Sequence, residues 1–329
     1  MKSLLPLAFP VLLLTWSVPA FAVTDVLEIR EWQVPFEDSR PRDPYVAPDG
    51  KVWFCGQIGA YIAVLDPRSG EFIKYEMEDN ERPHNLIIDD DGIVWYAGNT
   101  RGYIGRLDPA TGSIKQYPLP EGVDDPHTLV FNSEGDIWFT AQHSNVIGLF
   151  SVTTGETQVV TIPTPRARPY GIWMDLNDRP WIALFGTNKL ATVDPDSFTI
   201  DEITLPRDDA LPRRLAVTSD GMVWYVDYKG GYLGRLDPQS RAIQEWLMPG
   251  GGSARPYGMI VDDRDRLWFA ETGLKPNRLA GFDPVDETFI GITDIPSGGG
   301  TVRHMMYDAE TRAIWFGADT NTVGRAIVP

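Results

Sequence analysis

The chain has 329 residues, with 46 acidic against 29 basic side chains and a formal net charge of −17. That balance excludes nucleic acid and anionic lipid surfaces as partners, because a polyanion rewards lysine and arginine. A single cysteine excludes a disulfide framework and any thiolate-rich metal centre, and a hydrophobic fraction of 43% excludes a mainly disordered chain.

Residues 1–22 read as a secretory signal. Met1-Lys2 gives a positive start, Leu4 to Val18 is almost uninterrupted apolar sequence, and Ala20-Phe21-Ala22 supplies the small residues of a cleavage site. The apolar run is short for a membrane-spanning helix, and no later stretch approaches that length. The expectation is an exported protein, periplasmic or secreted, free of the membrane once the signal is cut. Cys55, alone in an oxidising compartment, is expected to be buried and inert.

Residues 23–329 carry one repeat seven times and are expected to form a single domain. A tryptophan followed by an apolar or aromatic residue recurs as Trp53-Phe54, Trp95-Tyr96, Trp138-Phe139, Trp181-Ile182, Trp224-Tyr225, Trp268-Phe269 and Trp315-Phe316, at intervals of 42 to 47 residues. Turn-like dipeptides such as Asp49-Gly50, Asp91-Gly92 and Asp220-Gly221 precede the pairs. A strand-like run follows each pair, as in Ile104-Gly105-Arg106-Leu107, and then a strand ending in proline, as in Ile114 to Pro120. Four short strands per period, repeated seven times, predict an all-β, seven-bladed β-propeller. The last repeat lacks its fourth strand, and the segment from Leu27 to Pro35 supplies a matching one. The two ends are therefore expected to close the ring in one blade. The repeated tryptophans and the turn aspartates are read as packing and hairpin residues, because a ligand would not touch every repeat.

Function then lies where the repeats differ. The first strand of each blade lines the axis, and the alignment places Tyr45, His84, His127, Tyr170, Arg213, Tyr257 and Arg303 at its start. Residues just past the tryptophan pairs, among them Gln57, Asn99, Gln142, Asp227 and Glu271, are expected to join that face. All four histidines fall in this zone, with His304 one residue past the ring position and His143 after the second strand of the third blade. Histidine titrates near neutrality, so two on adjacent blades make a candidate acid–base centre. Arg213 and Arg303 are candidates for holding a carboxylate or for structural ion pairs. The acidic balance of the whole chain favours a cationic or neutral small molecule. No Walker A loop, zincin pattern, nucleophile elbow or dinucleotide fingerprint is present.

The repeat of Pro-(His/Tyr)-Gly-Ile, Asp-Gly-x-x-Trp-Phe, Ile-Gly-Arg-Leu and a strand ending Leu-Pro resembles the virginiamycin B (streptogramin B) lyase family across the mature chain. The resemblance implies opening of a cyclic depsipeptide by elimination, with a histidine base and a magnesium ion held by two glutamates. The family's pattern is a Pro-His, then a Glu-Pro-His in the next blade, then a glutamate past that blade's Trp-Phe. At the C-terminal blades this chain has Pro256-Tyr257 and Val302-Arg303-His304 instead. A ring has no intrinsic first blade, and Arg82-Pro83-His84, Asp125-Pro126-His127 and Gln142 give a rotated match. By that match His127 is the base, His84 contacts substrate beside Tyr45, Tyr170, Arg213, Tyr257, Arg303 and His304, and Asp125 with Gln142 stand where the Mg²⁺ ligands stand. Aspartate is shorter than glutamate, and glutamine brings no charge. The expected reading is a monomeric lyase-like protein acting on a small molecule. The alternatives are a non-catalytic propeller binding a ligand or protein, and a metal-dependent lactonase-type hydrolase.

Overall fold

The computed structural model describes residues 26–78 and 81–329; the signal segment expected over residues 1–22 lies outside them. Twenty-eight strands form seven separate four-stranded antiparallel sheets. Each sheet is one repeat of the sequence, so the seven-bladed propeller is the fold. Blades 1 to 6 run in chain order over 41–76, 83–118, 126–161, 169–204, 212–247 and 256–294, each with its first strand packed against the first strands of its neighbours.

Blade 7 takes three strands from 302–327 and its fourth from Glu28–Gln33. That strand pairs antiparallel with Thr322–Ile327, in a register running from Glu28↔Ile327 to Gln33↔Thr322. Trp32 stacks on Trp315 across the junction, ring centroids 5.4 Å apart. The ends of the chain thus lock one blade and leave no open edge between them.

Two of the sequence motifs turn out to be one packing unit. The aromatic residue after the tryptophan sits directly across from the glycine of the next strand, as in Tyr96↔Gly105, Phe139↔Gly148, Tyr225↔Gly234 and Phe316↔Gly324. A Cβ built on Gly105 would lie 2.1 Å from the Tyr96 ring, so the glycine makes room for the ring. The tryptophans fill the seams between blades. Trp53 packs with Leu86 and Tyr96 of blade 2, Trp95 with Leu129 and Phe139 of blade 3, and Trp224 with Met259 and Phe269 of blade 6.

The turn aspartates also work inside the blade. Asp89 accepts from the backbone N–H of Asp91 and Ile93 through Oδ1 and from Trp95 Nε1 (2.8 Å) through Oδ2. Asp175 and Asp262 hold Trp181 and Trp268 in the same way, at 3.0 and 2.9 Å. Each such carboxylate ties its hairpin to its seam. Cys55 is fully buried among apolar neighbours, and burial pushes its thiol well up, as an inert core residue requires.

Gly105→Ala is expected to cost about 1–3 kcal/mol by overpacking. Combining it with Tyr96→Leu is expected to cost less than the sum of the two changes, measured by urea denaturation of the four proteins in the cycle. Strict additivity would show that ring and glycine are not one unit.

Candidate functional site

Six of the seven axial strands begin with proline, at Pro41, Pro83, Pro126, Pro169, Pro212 and Pro256, and the seventh begins with Val302. The next residues form the upper ring of the channel: Arg42, His84, His127, Tyr170, Arg213, Tyr257 and Arg303. Tyr45 is therefore corrected out of this ring, and Arg42 takes its place. The first blade has two prolines, and the alignment counted from Pro44, which lies inside the strand. Tyr45 sits opposite Trp53, toward the other end of the channel.

One step further down the strands lie Asp43, Asn85, Thr128, Arg214 and His304. Here the channel is sealed. Arg214 Nη1 donates to Thr128 Oγ1 (3.1 Å), its Nε to the Arg303 carbonyl (3.3 Å), and its Nη2 lies 3.6 Å from Asp43 Oδ2. Asp43 is 0% exposed and also accepts from Arg42 Nε (3.0 Å) and Asn85 Nδ2 (3.0 Å). Burial alone would raise its pKa, but Arg42, His304 and Arg214 outweigh it and hold the carboxyl well below the usual range. The same burial is offset at Arg42 by Asp43, so its pKa stays raised.

His84 and His127 come together with ring centroids 3.8 Å apart, and the Tyr170 ring lies 3.9 Å from that of His127. They are 6% and 3% exposed. His84 Nδ1 lies 3.0 Å from the His127 carbonyl, which can only accept, so Nδ1 carries the hydrogen and Nε2 keeps a lone pair. His127 Nδ1 lies 2.9 Å from Thr128 Oγ1. That oxygen also accepts from Arg214, and its second lone pair or its hydrogen completes the contact with His127. Burial, followed by nearby Arg42 for His84 and by His84 and Arg214 for His127, holds both pKa values well below 6.5. Both imidazoles are neutral, and a proton added to His127 would join the charges of Arg214, Arg42 and Arg213.

His304 is half-buried in the layer below, and burial followed by Arg214 lowers its pKa to about 3. His143 stands on the rim and is exposed. Three of the four histidines thus belong to the upper end, and His304 faces the lower one.

The cavity at the upper mouth has a volume of about 540 Å³ and is lined by Arg213, Arg255, Tyr257, Tyr228, Lys275 and Arg303, together with small polar loop residues. Neither His84 nor His127 lines it. Arg213 lies 3.4 Å from the centroid of the Tyr257 ring, 4.4 Å from Tyr228, 4.5 Å from Phe185 and 5.1 Å from Tyr170. Aromatic faces cage this guanidinium, and among the described residues no carboxylate pairs with it. Its Nη2 donates to Tyr170 Oη at 3.4 Å, and the Tyr170 and Tyr257 hydroxyls are hydrogen-bonded to each other. Burial raises phenol pKa values, yet Arg213, Arg42 and Arg214 leave that of Tyr170 below its ordinary value; burial and then Tyr170 raise that of Tyr257.

Magnesium, implied by the family resemblance, does not fit the donors present. Both oxygens of Asp125 are taken by a hairpin: Oδ1 accepts from Ser144 N (3.0 Å) and Oγ (2.8 Å), and Oδ2 from His143 N (2.6 Å) and Nδ1 (2.8 Å). Gln142, with its amide oxygen toward Arg168, accepts from Nε at 3.1 Å and Nη2 at 2.8 Å. A guanidinium on one donor and a closed turn on the other leave no free oxygens for a hard dication. Among the described residues no three His, Cys, Asp or Glu side chains group where a metal ion could be held. At the unrotated position Arg303 forms a two-pronged ion pair with Asp319, placing a cation in that blade as well.

Of the other residues expected on this face, Asp227 and Glu271 are 0% exposed and turn inward. Asp227 holds Arg207 and the Leu211 N–H, and Glu271 holds Arg278 and the Gly250 N–H. The sequence reading missed Arg42, Asp43, Arg214, Tyr228, Phe185 and Arg255. A signal for the basic mouth was present in the residues just before the axial prolines, where Arg40, Arg82, Arg168 and Arg255 recur.

The chain matches the virginiamycin B lyase family over residues 27–326. Its structure superposes on virginiamycin B lyase from Staphylococcus aureus with a TM-score of 0.83 at 24% identity, covering 92% of this chain and 100% of that one. A catalytically inactive form of that enzyme with quinupristin gives the same values. Hydrazine synthase from Kuenenia stuttgartiensis superposes at 0.73 with 12% identity, covering 90% of this chain and 97% of that one. At these identities the likeness is one of fold. No curated protein sequence matches the chain.

Two outcomes follow from the site. His84, His127 and His304 have folded pKa values below their unfolded value, so the unfolded chain binds more protons as pH falls below about 6.5, and stability present above that pH is lost below it. His304→Gln is expected to remove up to about 1.4 kcal/mol of that loss per pH unit, read from urea midpoints across this range; an unchanged slope would contradict a neutral buried imidazole. Millimolar Mg²⁺ is expected to leave the melting temperature unchanged, whereas Asp125→Asn lowers it by weakening the hairpin. A rise with Mg²⁺ that Asp125→Asn abolishes would restore Asp125 as a metal ligand.

Proposed function

The chain belongs to the virginiamycin B lyase family, and from that premise we propose that its upper mouth binds an anionic small molecule. The carboxylate, or a group of like charge and shape, lies against Arg213, and an apolar body rests on Tyr228 and Tyr257. The observation that carries this reading is Arg213 itself. A guanidinium at the wall of an open cavity, caged by aromatic rings and without a carboxylate partner among the described residues, is the arrangement an incoming anion completes. Arg255 and Lys275, exposed and without ion pairs among the described residues, add positive charge around it. The field at the mouth is thus opposite to the net charge of the chain, and it replaces the preference for a cationic or neutral ligand that overall composition suggests. The residues of 1–22 support an exported location, so the ligand would be met outside the cytoplasm.

A second reading keeps the family's chemistry without its metal, and the hydrogen-bonded Tyr170–Tyr257 pair beneath Arg213 favours it. Elimination needs a base for the proton beside a carbonyl and positive charge on the enolate that forms. With Tyr170 ionised, Tyr257 Oη, the member of the pair that lines the cavity, would pass its hydroxyl proton to Tyr170 and take the substrate's proton. Arg213 would hold the enolate oxygen, the C–O bond would break, and the proton would return from the pair to the leaving oxygen without water being added. His127, stacked on Tyr170 and closed off from the cavity, would then position the phenol and not act as the base.

The test is calorimetric titration with phenylacetate against neutral phenylacetamide. Wild-type protein is expected to prefer the anion, and Arg213→Gln or the exposed Arg255→Gln to cut its affinity about tenfold or more for the former and less for the latter. Equal affinity for acid and amide would overturn the proposal. Incubation with a cyclic depsipeptide separates the second reading: an opened product of unchanged mass supports elimination, a gain of one water means hydrolysis, and intact substrate leaves binding as the function.

A further inference from the structure

We propose that the lower half of the axial channel is a second ligand site, taking an organic cation with an aromatic or branched apolar body. It is separate from the upper mouth, because the Arg214–Asp43–Thr128 layer lies between them. Below that layer a cavity of about 440 Å³ follows the axis, bounded at its inner end by Asn85, Thr128 and His304. That volume is in the range of small-molecule pockets. Its wall is apolar and aromatic, with Phe131, Trp173, Met174 and Ile260 prominent. At the inner end the Nδ1 of His304 has no hydrogen-bond partner among the described residues.

The charge of the occupant follows from the two ends of the cavity. Behind the inner end stands the Arg214 guanidinium, which repels a cation and favours an apolar group there. Toward the outer end the cavity shares Tyr45, Met306 and Tyr307 with a groove of about 600 Å³, whose rim carries Asp49, Asp89, Asp90, Asp308 and Glu310 against Arg68 and Arg325. Asp49 is paired with Lys51, and Asp89 and Asp308 are engaged by their own turns. Asp90 and Glu310 are exposed and have no ion-pair partner among the described residues. Asp90 lies near enough to Tyr45 to add to the upward shift that burial gives its phenol. A cationic head at this rim meets carboxylates and Tyr45, while its apolar body fills the channel alongside Trp173. Tyr45, displaced from the upper ring, finds its place here.

The test is a calorimetric titration of the whole protein with benzyltrimethylammonium and with neutral benzyl alcohol as its uncharged counterpart. The cation is expected to bind about tenfold tighter. Val130→Trp or Met174→Trp, each filling the cavity, is expected to abolish that binding and to leave phenylacetate binding at the upper mouth unchanged. Asp90→Asn combined with Glu310→Gln, both on exposed turns, is expected to reduce the preference for the cation about threefold or more. Absence of binding at millimolar cation, equal affinity for the alcohol, or full binding by a folded cavity-filled variant would each overturn the proposal.

Discussion

Arg214 reaches from blade 5 to Thr128 of blade 3, Asp43 of blade 1 and the Arg303 carbonyl of blade 7, and so ties opposite sides of the ring across its axis. A guanidinium so deeply buried is tolerable only with a carboxylate beside it, and Asp43 is that carboxylate. The layer they make turns an open tube into two blind cavities. Everything of functional interest lies on one side of it or the other. The buried charges are also held in place by closure of the ring, because blades 1 and 7 both contribute to the layer, and the strand Glu28–Gln33, which leads into blade 1, completes blade 7.

The two cavities differ in kind. Above the layer the walls are aromatic and the charge is positive, with Arg213 lacking a carboxylate partner. Below it the walls are apolar and the rim is acidic. A net charge of −17 hides this division, since most of the acidic residues decorate turns and outer strands. Composition therefore says little about what either mouth binds, and the placement of a few arginines at the lead-in to the axial strands says much. The neutral imidazoles of His84 and His127 belong to this economy of charge: beside Arg42, Arg213 and Arg214, a protonated histidine would add repulsion to an already basic layer.

The fold was legible because its signals repeat. A tryptophan pair, a glycine across from its aromatic partner and a turn acid recur in blade after blade, so errors at one repeat are corrected by the others. The missing fourth strand of the last blade likewise pointed to the N-terminal segment from Leu27 to Pro35. The site was legible only in part. His84, His127, Tyr170, Arg213, Tyr257 and Arg303 were placed by the period. Tyr45 was misplaced because two prolines, Pro41 and Pro44, compete for the same alignment position. Arg214 and Asp43 were missed because their role arises from contacts across the ring, which no local pattern encodes. Asp125 and Gln142 sit where a family pattern expects metal ligands, but hydrogen bonds to Ser144, His143 and Arg168 engage them, and such partners are invisible until the hairpins are built.

The division of the channel is tested most directly by a crystal structure grown with bromide and read through its anomalous signal. The account expects bromide against Arg213 in the upper cavity, none below Arg214, and no file of water passing the Arg214–Asp43 layer. Bromide in the lower cavity with the upper one empty, or an open water path along the axis, would contradict it.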